Sequence, residues 1–329
     1  MAVRHSGGDI PDPAAGDSTV SPNIEIPEAF AVHIVEAFGA GGKTWLDALS
    51  GLVADLAMRW ELEIGEPFEL SYGYVVAARR TDGTEAVLKI GVSGEESRRE
   101  IPALRVYGGV GACRLLEADE PRGAMLLERL RPGETLIALA QRDDEAATRV
   151  GARVMRRLWR PVPEDTEFLP IARWFEDAFS RYRAYYGGIG PLPRPLFERA
   201  EALAFELLSS APSEVLLHGD FHHYNVLSTE SSGERSGWLA IDPKGMTGDP
   251  GYEPAVFLCN PNERDLSATP QLLNRRLSVL AEELGYDRDR LRDWGIAHAV
   301  LSACWSAEEG GGNWGQAIRA AELLFGLQG

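Results

Sequence analysis

Cysteine is scarce in this chain. Cys113, Cys259 and Cys304 are the three among 329 residues, an odd number at wide spacing, which excludes a disulfide framework and suits free thiols in a reducing compartment. Histidine is sparse too, and no Cys or His pair stands at zinc spacing; neighbouring His222 and His223 point apart in an extended loop and read as local hydrogen-bonding groups. No apolar run approaches the length of a membrane span, and the opening MAVRHSGGDIPDPAAGDSTVSPN lacks the apolar stretch of a signal peptide. Its Gly, Pro, Ser and Asp content predicts a disordered tail over residues 1–23. The expected location is the cytoplasm. Basic residues are outnumbered, 33 against 50 acidic, and the net charge of −17 argues against nucleic acid as a partner. The acidic surplus serves solubility and is equally compatible with a cationic small-molecule partner.

Two glycine signatures are also missing. No G-x-G-x-x-G occurs, and the segment nearest to a P-loop, Phe38-Gly39-Ala40-Gly41-Gly42-Lys43-Thr44, has Ala37 where the strict pattern demands glycine. Residues 28–38 fit a helix as easily as a strand, while Trp45, Leu49, Leu52, Val53, Leu56 and Trp60 mark an amphipathic helix. With no αβ alternation following, the segment reads as a glycine connector between two helices.

What is present is concentrated in residues 215–242. His218-Gly219-Asp220 is followed by Asn225, and Asp242 ends the next apolar run. Val226-Leu227-Ser228 and Trp238-Leu239-Ala240-Ile241 read as strands joined by a polar loop. An antiparallel pairing brings Asn225 and Asp242 to one end, where their hard oxygens suit magnesium, with Asp220 positioned toward an acceptor hydroxyl. Phosphoryl transfer from ATP needs that set: a carboxylate near the hydroxyl and two metal ligands. Asp and Asn are also common turn formers; the hairpin with its terminal aspartate favours the chemical reading.

Upstream, residues 74–80 and 85–90 read as strands about an Asp82-Gly83 turn. Lys89 falls within the second strand, as in V-A-I-K, although a strand lysine commonly faces solvent. Glu100 opens an apolar-periodic segment, with Pro102 suggesting that a helix begins near it; Glu96 is the other candidate partner for Lys89. Residues 124–130 form a strand running into Arg131-Pro132-Gly133, where a kinase hinge would present backbone groups from Glu128 to Leu130 to adenine. Helices are expected over 144–159, 171–186, 196–208, 271–284 and 288–305.

The ordered segments IPEAF (26–30), LSYGYV (70–75), AVLKI (86–90), AMLLERLRPGETL (124–136), HGDFHHYNVL (218–227), WLAIDPKGMTGDPGYE (238–253) and LSACWSAEEG (301–310) resemble the aminoglycoside O-phosphotransferases, in the branch of streptomycin 6-kinases and hydroxyurea phosphotransferases. The resemblance covers most of the chain after about residue 24. It implies an α+β, protein-kinase-like two-lobed fold, with a small β-rich lobe over 24–130, a larger mainly helical lobe over 131–329, and ATP and Mg2+ as cofactors. It puts Asp220 at the catalytic base, Asn225 and Asp242 at the metal, and Lys89 with Glu100 in the nucleotide-steadying ion pair. For phosphate contacts the candidate loop is Ser71-Tyr72-Gly73-Tyr74, a departure from the glycine-rich pattern. Asp249, Glu253, Glu308 and Glu309 are the carboxylates expected to hold cationic groups of an aminoglycoside, with Trp305 as a cation–π face. The bland alternatives for these are a turn and a solvated helix end. Alternative acceptors are hydroxyurea or another small alcohol, and a catalytically silent relative would only bind nucleotide or drug.

Overall fold

The computed structural model describes residues 24–92, 95–230, 237–260, 266–308 and 314–327, and the side chains of residues 95–97 also lie outside the description. The expected disordered tail, the side chain of Glu96, the tip of the 226–240 hairpin and Glu309 therefore fall outside it. Among the described residues no helix is long and apolar enough to cross a membrane. Contacts divide the chain into two compact units, one running to Gly108 and including Cys113–Leu130, the other comprising Gly109–Ala112 and the chain from Arg131 onward.

The first unit packs a helix on a sheet. Helix α1 (Glu28–Arg59) departs from helical geometry at Gly39, where φ is 57° and ψ −134°, values that a residue without Cβ adopts at little cost. Thr44 Oγ1 donates to the Ala40 carbonyl at 3.1 Å as in a regular helix. The P-loop-like segment is thus the kink between two helical stretches, with no strand before it among the described residues. Strands β1 (Leu62–Pro67), β2 (Gly73–Arg80), β3 (Glu85–Gly91), β4 (Leu115–Asp119) and β5 (Ala124–Glu128) form an antiparallel sheet in the order β1-β2-β3-β5-β4. Asp82 Oδ1 accepts the Thr84 amide at 2.9 Å and Gly83 takes φ 87°, closing the β2–β3 turn. Strand alternation then decides which residues face the core. Tyr74, Val76, Ala78, Ala86, Leu88 and Ile90 pack with Phe30, Ile34, Leu49, Val53 and Leu56 of α1. Lys89 is one step out of phase and lies on the opposite face.

Helix α2 (Glu95–Tyr107) starts five residues before the Glu100 start expected from Pro102, and the proline sits inside it. An interior proline forfeits one backbone hydrogen bond. Burial of Ile101, Ala103, Leu104 and Tyr107 offsets that loss.

The second unit contains two small sheets among helices. Strands β6 (Pro132–Thr135), β9 (Val226–Thr229) and β10 (Gly237–Ala240) pair in the order β10-β9-β6, while β7 (Leu169–Pro170), β8 (Val215–Leu217) and β11 (Met246–Gly248) pair as β7-β11-β8. The helices are α3 (Leu136–Ala140), α4 (Asp144–Leu158), α5 (Ile171–Tyr186), α6 (Arg194–Ser209), α7 (Glu253–Leu258), α8 (Pro270–Leu284), α9 (Arg288–Glu308) and α10 (Trp314–Gly326). Residues buried nearly all round α9, including Trp294, Ala297, Leu301 and Cys304, make it the centre of this unit's core. Helix α10 goes beyond the helices expected from periodicity; it buries Ile318, Ala321 and Leu324. Cys113, Cys259 and Cys304 are free thiols.

Candidate active site

Strand β8 delivers the chain into the turn His218-Gly219-Asp220, and close packing shapes that turn. Gly219 has φ 80°, and a Cβ there would stand 2.5 Å from Met246 Sδ, so glycine is required both for conformation and for space. Glu253, at the start of α7, accepts the His218 amide at 2.7 Å on one carboxylate oxygen and the Gly219 amide at 2.8 Å on the other. The Asp220 amide donates to His218 Nδ1 at 3.2 Å. His218 is then the neutral Nε2–H tautomer, donating to the Ile241 carbonyl at 2.8 Å. Burial, the dominant influence, pulls the His218 imidazole down to about 4, which agrees with the neutral form.

Antiparallel pairing of β9 with β10 puts Val226 opposite Ala240. The Ile241 amide continues the ladder by donating to the Asn225 carbonyl at 2.9 Å, so Asn225 and Asp242 do lie at one end of the ribbon. Asn225 Nδ2 donates to the Asp220 carbonyl at 3.0 Å, which ties the ribbon to the turn and leaves the amide oxygen as the atom oriented for a cation. Asp242 has φ 59°, an unusual backbone state for a residue with a side chain and one enriched at functional sites. Its charge acts on both His218 and His222. Asn225 and Asp242 could supply two hard-oxygen donors to a cation such as Mg2+, whose shell phosphates and water would complete. Among the described residues no cluster of three His, Cys, Asp or Glu stands ready to hold a metal unaided.

Lys244, two residues past Asp242, reaches back to the turn. Its Nζ lies 3.2 Å from Asp220 Oδ2 and 5.5 Å from the centroid of the Trp174 ring. Burial pushes the Asp220 carboxyl up, but the Lys244 ammonium outweighs it and brings the group down to about 2. Trp174 in turn packs at 5.0 Å from Trp305, whose ring is 6.3 Å from His298. Trp305, named from the sequence, thus connects through Trp174 and Lys244 to Asp220. Neither intermediate was among the sequence candidates, although Lys244 lies inside the quoted DPKG segment.

Two of the expected substrate carboxylates are placed elsewhere. Asp249 is 1% exposed; it accepts Arg290 Nε at 3.0 Å, Trp294 Nε1 at 3.0 Å and the Gly251 amide at 2.9 Å. Glu253 is fully buried beneath the turn it braces. Their hydrogen-bonding capacity is committed to the protein, so neither meets a substrate cation. Glu308 ends α9 and pairs with Arg181 Nε at 2.8 Å.

In the first unit, Lys89 Nζ lies 2.7 and 2.9 Å from the two Glu100 carboxylate oxygens, and Glu100 is buried. The Glu128 amide donates to the Arg114 carbonyl at 3.0 Å, so that N–H is committed within the unit; Leu130 lies buried just beyond. Ser71 is exposed, and Gly73 opens β2 so close to β3 that a Cβ would stand 3.1 Å from the Ile90 carbonyl oxygen.

A family model described as aminoglycoside/hydroxyurea antibiotic resistance kinase matches residues 59–310, about three quarters of the chain. The chain belongs to this family. It is 36% identical to streptomycin 6-kinase of Streptomyces glaucescens over 295 residues, covering 87% of this chain and 92% of that one. It is likewise 36% identical to hydroxyurea phosphotransferase of Kitasatospora aureofaciens over 310 residues, 93% and 87% of the respective chains. An amicoumacin kinase solved with AMP-PNP, Ca2+ and amicoumacin superposes with a TM-score of 0.56 at 12% identity, over 86% of this chain and 93% of that one. The fold is therefore the protein-kinase-like α+β type, and this family member is a small-molecule phosphotransferase with an alcohol group as acceptor.

The buried ionisable groups of this kinase give a pH dependence with a definite sign. His218 and His298 are both drawn to about 4 by burial, so they stay neutral in the fold, while the unfolded chain protonates near 6.5. Stability is therefore lost as pH falls from 6.5 toward 4. At pH 5 each histidine costs about 2 kcal/mol. Glu253 works the other way: burial raises it to about 7 from 4.5, so acidification favours the fold and offsets about 2 kcal/mol. Burial draws His222 and His223 down as well, so a net loss of stability between pH 7 and pH 5 is expected from denaturant titrations, and a gain would contradict the neutral-histidine assignment.

Proposed function

We propose that this protein transfers the terminal phosphoryl group of ATP, as its Mg2+ complex, to a hydroxyl of streptomycin or a closely related aminoglycoside. The observation that carries the reading is the junction of the Asp220 turn with the Asn225–Asp242 end of the β9–β10 ribbon, joined by the Asn225 Nδ2 bond to the Asp220 carbonyl. In this reading Asp220 orients the acceptor hydroxyl and takes its proton as the new bond forms. Asn225 and Asp242 hold Mg2+, which when bound neutralises phosphate charge. Lys89, braced by Glu100, steadies the nucleotide phosphates, with Ser71 and Gly73 beside them and the backbone around Leu130 against adenine. Trp305 backed by Trp174 offers an aromatic face to a guanidinium, and Glu308 with Glu309 offers carboxylates. Catalysis rests on positioning and charge neutralisation, since the transferred group is loosely bonded in the transition state.

The equal identity to a hydroxyurea phosphotransferase supports hydroxyurea as the second candidate acceptor. The test is the purified protein incubated with Mg2+ and ATP against streptomycin, other aminoglycosides and hydroxyurea, read by mass spectrometry. Gain of one phosphoryl group on streptomycin is expected. Gain on hydroxyurea alone would replace the aminoglycoside reading, and no gain on any acceptor would overturn the transfer itself.

A further inference from the structure

The ion pair between Lys244 and Asp220 is unusual at a base. The Lys244 ammonium lies 3.2 Å from Asp220 Oδ2 and so occupies one oxygen of the carboxylate that has to meet the acceptor hydroxyl. The lysine is not what holds the turn. Its side chain remains 28% exposed, and the turn is already held by Glu253, His218 and Asn225 through backbone bonds. His222 Nε2 lies 3.7 Å from Oδ1, beyond hydrogen-bonding distance, so it does not compete with a hydroxyl for that oxygen. A hydroxyl on Oδ1 and the ammonium on Oδ2 share one carboxylate, which makes the lysine a neighbour of the reacting centre. An ammonium has three donors, so one can stay on Asp220 while another meets a phosphoryl oxygen. The Trp174 face at 5.5 Å gives the ammonium a cation–π contact and limits where it can swing.

We infer that Lys244 is a catalytic residue whose ammonium contacts the phosphoryl group in transit between ATP and the acceptor hydroxyl; this rests on the reading in the preceding subsection. In the step, an acceptor oxygen lone pair forms the new P–O bond while the bond from phosphorus to the bridging oxygen breaks, and its electron pair stays on the departing ADP. The hydroxyl proton passes to Asp220, and Lys244 keeps all its protons. The ammonium opposes negative charge on the phosphoryl oxygens throughout, and its effect is largest where the group is bonded to neither partner.

The test uses the full chain and an acceptor that wild type phosphorylates, with Lys244→Met and Lys244→Arg, each also combined with Asp220→Asn. Lys244→Met is expected to lower kcat by about 10²-fold with KM for both substrates nearly unchanged, and Lys244→Arg to recover most of the loss. Lys244→Met should also lower kcat in the Asp220→Asn background, because its partner is the phosphoryl group and not only the carboxylate. As a readout without turnover, Lys244→Met should weaken binding of ADP with aluminium fluoride and acceptor, a mimic of the phosphoryl in flight, while AMP-PNP binding is retained. If the lysine merely clamps Asp220, its loss has no further effect once Asp220 is Asn, and the inference is overturned. Wild-type kcat in Lys244→Met overturns it as well. Failure of wild type to phosphorylate any acceptor instead removes the underlying transfer reading.

Discussion

Asp220→Asn is expected to reduce kcat by about 10²- to 10⁴-fold and leave nucleotide affinity within about twofold. The replacement keeps the shape of the side chain and both backbone bonds of residue 220, to His218 Nδ1 and from Asn225 Nδ2, so the turn survives. What disappears is the anion. The acceptor hydroxyl loses the group that fixes its lone pair toward phosphorus and receives its proton, and Lys244 loses its counter-ion. Steady-state kinetics with a responsive acceptor, alongside calorimetric binding of AMP-PNP, separate the two quantities. An unchanged kcat would remove Asp220 from the reaction.

Arg276→Met is expected to destabilise the protein by about 3–5 kcal/mol, the usual penalty for leaving a buried charge without its partner. Arg276, in α8, is 1% exposed. Its guanidinium lies 2.9 and 2.5 Å from Asp144 Oδ1, donates to the Asn260 carbonyl, and stands over the Phe257 ring. Asp144 is buried at the first turn of α4, where the helix N-terminus and Arg275, at 3.6 Å, compensate only part of its charge. The damage should extend toward the active site, because His223 stacks on the same Phe257 ring at 3.9 Å, two residues before Asn225. Denaturant titration at neutral pH gives the stability change. Combining Arg276→Met with Asp144→Leu should restore much of it by removing the stranded carboxylate, and failure to do so would show that packing, not charge, carries the effect.

The parts of this fold that the sequence announced are those whose signal is local. Asp82-Gly83 fixes a turn by itself, the alternation in β2 and β3 fixes a face, and the apolar spacing in α4, α5, α6 and α8 fixes a stripe. Short elements with distant partners carry no such signal. Strands β7, β8 and β11 have two or three residues each, too few for a period, and they pair across gaps that only the folded chain closes. The same limit governs the site. Asn225 and Asp242 converge because they flank one hairpin, which sequence order discloses. The resemblance implies that Asp249 and Glu253, just past the metal aspartate, border an acceptor cleft. Arg290, Trp294 and the backbone amides of His218 and Gly219 occupy them instead, and none of those partners is adjacent in the chain. Lys244 carries no local signal, since its partner Asp220 lies 24 residues upstream.

Glu253 anchors two successive amides from a position more than thirty residues downstream, using only the protein's own atoms. A compound aimed at this turn would therefore meet a receptor already in shape, with little entropy to surrender on docking. Resistance-breaking inhibitors could be screened against the unliganded enzyme, and rigid scaffolds should outperform adaptable ones.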